Sequence, residues 1–182
     1  VALDYGASII NDVSALRQDP AMASVIAHFD AAVVLMHMQG TPQTMQQSPQ
    51  YSDVVGEVVR FLEGRMQMAL RAGIVGTNIL LDPGFGFGKL VNHNLDLLDG
   101  LSAIAALNRP VLVGLSRKAF IGNVVERPVE HREWGTAAAV ALAVDRGAHI
   151  LRVHDVAMMI DVVKMAAALN PRWSSYRQEH DA

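Results

Sequence analysis

Five short runs of aliphatic and β-branched residues punctuate the chain, at positions 8–13, 32–36, 78–81, 110–115 and 149–153. Each is nearly continuously apolar rather than alternating, the pattern of a parallel strand covered on both faces. Between them the apolar positions recur at helical spacing. Asp19 followed by Pro20 predicts an N-cap and the first residue of a helix running toward Phe29. Val55, Val58, Val59, Leu62, Met66, Ala69 and Leu70 predict a second helix that stops at Gly73. Leu95, Leu98, Leu101, Ile104 and Leu107 form the next stripe. Residues 135–146 read as an alanine-rich helix ending at Gly147, and 156–169 as a last helix ending before Pro171. The tail, 173–182, shows no periodicity.

Strand and helix in strict alternation is the grammar of an α/β fold, either an open doubly wound sheet or a barrel. Strand starts taken at Ile9, Val33, Ile79, Val111 and Ile150 lie 24, 46, 32 and 39 residues apart. An eight-unit barrel of about 250 residues averages roughly 31 per unit. The 182-residue chain therefore holds about five βα units. The expectation is a partial TIM (β/α)8 barrel, as a single domain over 1–182. Residues 1–6 read as the last turn of a helix that begins upstream, so the domain is expected to be truncated at its N-terminus.

Composition narrows this picture by exclusion. Fifteen Lys and Arg against 18 Asp and Glu give a net charge of −3, without the surplus of bases that phosphate neutralisation demands, so a small molecule is expected rather than a nucleic acid. The absence of cysteine excludes a disulfide scaffold and thiol chemistry and fits a cytoplasmic setting. No run reaches the roughly 18 consecutive apolar residues of a membrane helix, and no membrane partner is expected.

Polar residues follow every strand: Asn11 and Asp12, His37, Asp82, then Ser116, Arg117 and Lys118, then Arg152, His154 and Asp155. In a parallel α/β fold all C-terminal strand ends face one side, so these side chains converge on one mouth. An amide, a carboxylate and three bases make a mixed recognition set; a solvated sheet edge is the alternative. Lys118, Arg152 and His154 suit an anion, Arg as a bidentate donor, Lys as a point charge and His as a proton donor or shuttle. Ion pairs with Asp12 or Asp155 are the other explanation for these bases.

The stretch from Asp82 to Lys89, Asp-Pro-Gly-Phe-Gly-Phe-Gly-Lys, is the most unusual. It fails the phosphate-loop pattern, because Pro83 replaces the first glycine and Leu90 follows the lysine, and it fails the dinucleotide fingerprint at Lys89. What remains is a carboxylate at a strand tip and three glycines that let backbone approach a ligand closely. Phe85 and Phe87 between them suit a flat ring, or else are core residues of a tight turn. His37, His93 and His131 have no metal-site spacing, no Gly-x-Ser-x-Gly elbow is present, and Met36, Met38 and Met45 suit packing.

Several segments together resemble the dihydropteroate synthase family: Ile9 to Ser14, Leu35 to Pro42, Asp82 to Lys89 with His93 and Asn94, Gly114 to Lys118, Gly135 to Ala138, and Arg152 to Val156. The likeness is to the C-terminal two thirds of the family's chain. It implies a (β/α)8 barrel that joins 6-hydroxymethyl-7,8-dihydropterin diphosphate to p-aminobenzoate, with magnesium, releasing diphosphate and forming 7,8-dihydropteroate. It also implies sulfonamide inhibitors and a homodimer, with the 156–169 stripe as either interface or barrel cover.

By the same resemblance Asn11 and Asp82 hydrogen-bond the pterin and Met36 packs on it. Lys118 contacts the pterin and frames the p-aminobenzoate site with Phe87 and Ser116, and Gly114 lines the pocket. Arg152 and His154 hold the diphosphate, Arg152 also lying along the pterin plane. Asp82, Lys118, Arg152 and His154 are the implied catalytic set. The family's metal-binding asparagine falls upstream of Val1, as do two loops that close over p-aminobenzoate and a pterin-binding aspartate, so no metal ligand is expected in this chain. Two other assignments stay open, a non-catalytic pterin-binding fragment and a methyltetrahydrofolate-binding methyltransferase domain. A barrel lacking three strands also exposes two parallel edges, which predicts association or partial unfolding.

Overall fold

The strands β1 (Ile9–Asp12), β2 (Ala32–Met36), β3 (Ile79–Asp82), β4 (Leu112–Val113) and β5 (Ile150–Leu151) alternate with seven helices in a computed structural model that describes residues 1–170. The 173–182 tail lies outside the described residues. The helices are α1 (Met22–His28), α2 (Val54–Arg71), α3 (Val91–Asp99), α4 (Leu101–Ala105), α5 (Ala119–Val125), α6 (Glu133–Asp145) and α7 (Val156–Leu169). Every strand pair is parallel, β1 on β2 on β3 and β4 on β5. A parallel bridge between Leu81 and Val111, with the Leu81 N–H donating to the Pro110 carbonyl at 2.9 Å, joins the two groups. The fold is thus α/β with parallel strands, and β1 and β5 stand at its edges.

Side chains of a strand alternate between faces, and the apolar runs divide accordingly. Val33, Leu35, Ile79, Leu81, Val111 and Val113 enter a large core with Val58, Leu62 and Ala69 of α2 and Leu97, Leu101 and Ile104 of α3 and α4. Val34, Leu80 and Leu112 form a small cluster on the opposite face. Two residues further along that second face come Met36, Asp82, Gly114 and, after Ile150, Arg152. The register pairs Met36 with Asp82 directly. The period of two therefore carries an apolar layer into a polar one at the strand ends, which is what places the candidate site.

Several elements differ from expectation. β4 and β5 are two residues long rather than five or six, in part because Pro110 has no N–H to give to a ladder. The edge strands are not covered on both faces: Ile9 and Ile150 are exposed. The leucine stripe breaks at Gly100 into α3 and α4. α1 starts at Met22, with the Asp19 carboxylate accepting from the Ala21 N–H at 2.8 Å. Residues 1–6 make a 3-10 turn over Leu3–Tyr5 capped by Gly6 in the left-handed region. α5 has no counterpart in the sequence pattern. Among the described residues no helix is long and apolar enough to cross a membrane.

Candidate functional site

The strand ends open on a cavity of about 520 Å³ lined by Asn11, Val13, Met36, Phe87, Gly114, Ser116, Lys118, Arg152, Val153 and His154. Asp82 joins it through Arg152. Its carboxylate is 1% exposed and accepts from the Arg152 Nη2–H at 3.1 Å and from the Gly84 N–H at 2.8 Å. Arg152 Nη1 also donates to Asn11 Oδ1 at 2.9 Å, so one guanidinium ties the end of β5 to the end of β1 across the mouth. Burial pushes the Asp82 carboxyl above the usual carboxylate range, while the Gly84 N–H and Arg152 pull it back.

Gly114 makes room for this arrangement. A Cβ there would lie 2.9 Å from Arg152 Nη2 and 3.3 Å from its Cζ, so the guanidinium rests against bare backbone. Lys118 at the start of α5 places Nζ 4.5 Å from the centre of the Phe87 ring, a cation–π contact. Burial and the Arg152 charge hold the Lys118 amine below its usual range. His154 Nδ1 lies 2.9 Å from Ser116 Oγ, which also accepts the His154 backbone N–H at 3.3 Å. That bond fixes the ring and leaves Nε2 unencumbered by it.

All nine residues singled out for binding thus come together. Their neighbours do not. Asp12 accepts from the Ser14 N–H at 2.8 Å, the Ser14 hydroxyl at 2.7 Å and the Leu16 N–H at 2.6 Å, so it organises its own loop. Asp155 pairs with Arg117 at 2.9 Å rather than with any base of the cavity. The two phenylalanines separate as well: Phe85 is buried and stacks on Phe120 with centroids 6.2 Å apart, whereas Phe87 faces the cavity.

Pattern reasoning missed the clamps on the glycine loop. Gly84, Gly86 and Gly88 all have left-handed φ, +70°, +76° and +58°, and a Cβ on Gly84 would collide with the His37 carbonyl. Each glycine carbonyl is held by a different side chain: Lys89 Nζ at 3.0 Å on Gly84, Gln46 Nε2 at 2.8 Å on Gly86 and Tyr51 Oη at 2.7 Å on Gly88. Asn94 Oδ1 accepts the Gly86 N–H at 2.7 Å. The only sequence signal for such partners is that buried backbone groups must be paired somewhere.

His37, at the end of β2, is buried with Lys89 Nζ 3.0 Å from its Nδ1. Burial, then the Lys89 and Arg17 charges, lower its pKa from 6.5 to about 3. Between those values the unfolded chain takes up a proton that folded His37 refuses, so stability falls as pH falls through this window. Urea unfolding followed from pH 7 to pH 4 is expected to show a flatter acid dependence for His37→Gln than for the parent chain.

Among the described residues no three of His, Cys, Asp or Glu are grouped to hold a metal ion.

A sequence profile for pterin binding enzymes matches residues 1–154. The dihydropteroate synthase of Haemophilus influenzae is 46% identical over 164 residues, which cover 90% of this chain and 59% of that protein. The chain thus spans about three fifths of the length of that relative. The structure of Xanthomonas albilineans dihydropteroate synthase in complex with 7,8-dihydropteroate superposes with a TM-score of 0.85 at 46% identity, covering 92% of this chain and 61% of that one. The Yersinia pestis dihydropteroate synthase with a sulfonamide drug complex gives 0.87 at 39% identity, covering 92% and 60%.

Proposed function

Because this chain belongs to the pterin binding enzyme family, we propose that its cavity is the pterin and diphosphate site of a dihydropteroate synthase, built on five consecutive βα units of a (β/α)8 barrel. The observation that carries this is the Asn11–Arg152–Asp82 cluster standing beside the Lys118–Phe87 pair in one cavity. A carboxylate offers about four lone-pair positions. Asp82 spends one on Gly84 and one on Arg152, leaving two for the adjacent N–H donors of a pterin edge. Asn11 supplies an amide that both donates and accepts, and Met36 a polarizable apolar floor.

Departure of diphosphate breaks the C–O bond at the pterin methylene carbon and leaves positive charge there. The Asp82 carboxylate stabilises that charge, while Arg152 and His154 stabilise the leaving anion. The amine of p-aminobenzoate, framed by Phe87, Lys118 and Ser116, then forms the C–N bond and gives up a proton. No covalent enzyme intermediate is needed. Sulfonamides, as aryl amines, fit the same frame. Pairing of two copies through the exposed apolar residues of α7, Val156, Ile160, Met165 and Leu169, belongs to the same proposal.

Titration calorimetry of this chain with 6-hydroxymethyl-7,8-dihydropterin diphosphate and with the pterin lacking diphosphate tests the assignment. The diphosphate form is expected to bind about tenfold more tightly or better, the value of one charge-assisted contact. Equal affinities overturn the synthase assignment in favour of a folate-binding methyltransferase. Gly114→Ala displaces Arg152 and is expected to remove most of the diphosphate advantage, about tenfold, and to lower the melting temperature, because the buried Asp82 carboxylate loses its partner.

A further inference from the structure

The mechanism above makes no use of the most deeply buried cation among the cavity's neighbours. Lys89 is 4% exposed, and its Nζ lies 3.0 Å from His37 Nδ1, 3.0 Å from the Gly84 carbonyl and 3.1 Å from the Phe87 carbonyl. An ammonium has three protons and no acceptor. Three acceptors at hydrogen-bond distance therefore suit the charged form, with His37 neutral and protonated on Nε2.

Two of those acceptors, the Gly84 and Phe87 carbonyls, belong to the glycine loop. Gly84 is gripped at both ends, its N–H by Asp82 and its carbonyl by Lys89. The Phe87 carbonyl, held by Lys89, fixes the backbone that presents the Phe87 ring to Lys118. His37 is anchored in turn: its N–H donates to the Asp82 carbonyl at 3.0 Å, and its ring stands edge-on to Phe61, 4.9 Å between centroids.

The geometry points to Lys89 as a positioning residue of the pterin site: its ammonium, seated on His37, sets the loop that aims Phe87 and backs the Asp82 carboxylate with a second positive charge. This rests on the pterin assignment for its consequence but not for its test.

The charged and titratable groups around Lys89 are Asp82 on β3, Lys118 at the start of α5, His37 at the end of β2 and, one step further, Arg152 after β5, Arg17 after β1 and Tyr51 before α2. Burial lowers the Lys89 pKa to about 7, the Asp82 charge opposes that shift and Lys118 adds to it. While Lys89 carries its proton it favours the Asp82 carboxylate.

The experiment follows the Asp82 carboxyl carbon and the His37 ring nitrogens by NMR through a pH titration of the isotopically labelled 182-residue chain, unsubstituted and as Lys89→Met. In the unsubstituted chain His37 is expected as the Nε2–H tautomer between about pH 3 and pH 7, and the Asp82 carbon is expected to show a second inflection where Lys89 loses its proton. In Lys89→Met that inflection disappears and the main Asp82 titration moves upward in pH. Affinity for the dihydropterin then weakens at a higher pH than in the parent, whereas a purely structural role lowers affinity uniformly across pH. An Asp82 carbon indifferent to Lys89 in the unsubstituted chain overturns the proposal, even where Lys89→Met does not fold. Absence of pterin binding by the unsubstituted chain counts against the function and leaves the titration result standing.

Discussion

Asp82→Asn is expected to lower affinity for the pterin diphosphate by about two orders of magnitude or more while the chain stays folded. Two hydrogen bonds to a charged acceptor are worth roughly 1.5–3 kcal/mol each, and every 1.4 kcal/mol is tenfold. The fold survives because the asparagine oxygen still accepts the Gly84 N–H that Asp82 accepts at 2.8 Å. The substitution also relieves the cost of keeping a charge where the side chain is 1% exposed. Arg152 loses its partner but is itself 47% exposed, so water compensates it. Calorimetry and thermal melting on the same sample separate the two effects. Affinity within about threefold of the parent, well below one charge-assisted bond, removes Asp82 from the centre of the site.

Arg152→Met is expected to act on stability as well as on binding. It strips the buried Asp82 carboxylate of its ion-pair partner. Orphaning a buried charge costs about 3–5 kcal/mol, and the solvent exposure of Arg152 trims this to roughly 2 kcal/mol. Asp82 has its carboxyl raised by burial, and without Arg152 it rises further. A carboxyl whose folded pKa lies above its unfolded value binds protons preferentially in the folded state, so it contributes stability as pH falls through the folded value. The stability gap between Arg152→Met and the parent is therefore expected to be widest at neutral pH and to narrow on acidification, in urea titrations at pH 7.5 and 4.5. A gap that is the same at both pH values contradicts the ion-pair account. The diphosphate advantage in calorimetry is expected to vanish with it.

The parallel α/β architecture was legible because burial on both faces of a strand leaves a near-continuous apolar run. β2 and β3, the central strands, fall within a residue of where that signal places them. α2 and α7 do too, since each has a long stripe and a clean stop. α5 was not legible. It is seven residues long, carries Gly122 in its interior and has no side-chain cap, so its helicity comes from packing against α3 and α6 rather than from local preference. Edge exposure at Ile9 and Ile150 was hidden because an apolar residue looks the same at an edge as in a core.

The site divides along the same line. Asn11, Asp82 and Arg152 follow from parallel topology, which puts the polar residues at the strand ends on one side, whereas Met36 and Gly114 were named only through the family resemblance. Gln46 and Tyr51 hold carbonyls 40 and 37 residues away, a pairing that no local pattern announces. Lys89 is the sharpest case. A lysine is almost never fully buried unless paired, and its partners, a histidine nitrogen and two carbonyls, carry no opposite charge that sequence would flag.

The most direct test of the central claim is a crystal structure of this chain grown with 7,8-dihydropterin. The account predicts the pterin ring in the cavity at the strand ends, its N–H edge on Asp82 and its amide partner on Asn11, Met36 beneath one face and the Arg152 guanidinium along the other. A pterin bound elsewhere on the chain, with Asp82 still paired only to Arg152 and Gly84, contradicts it.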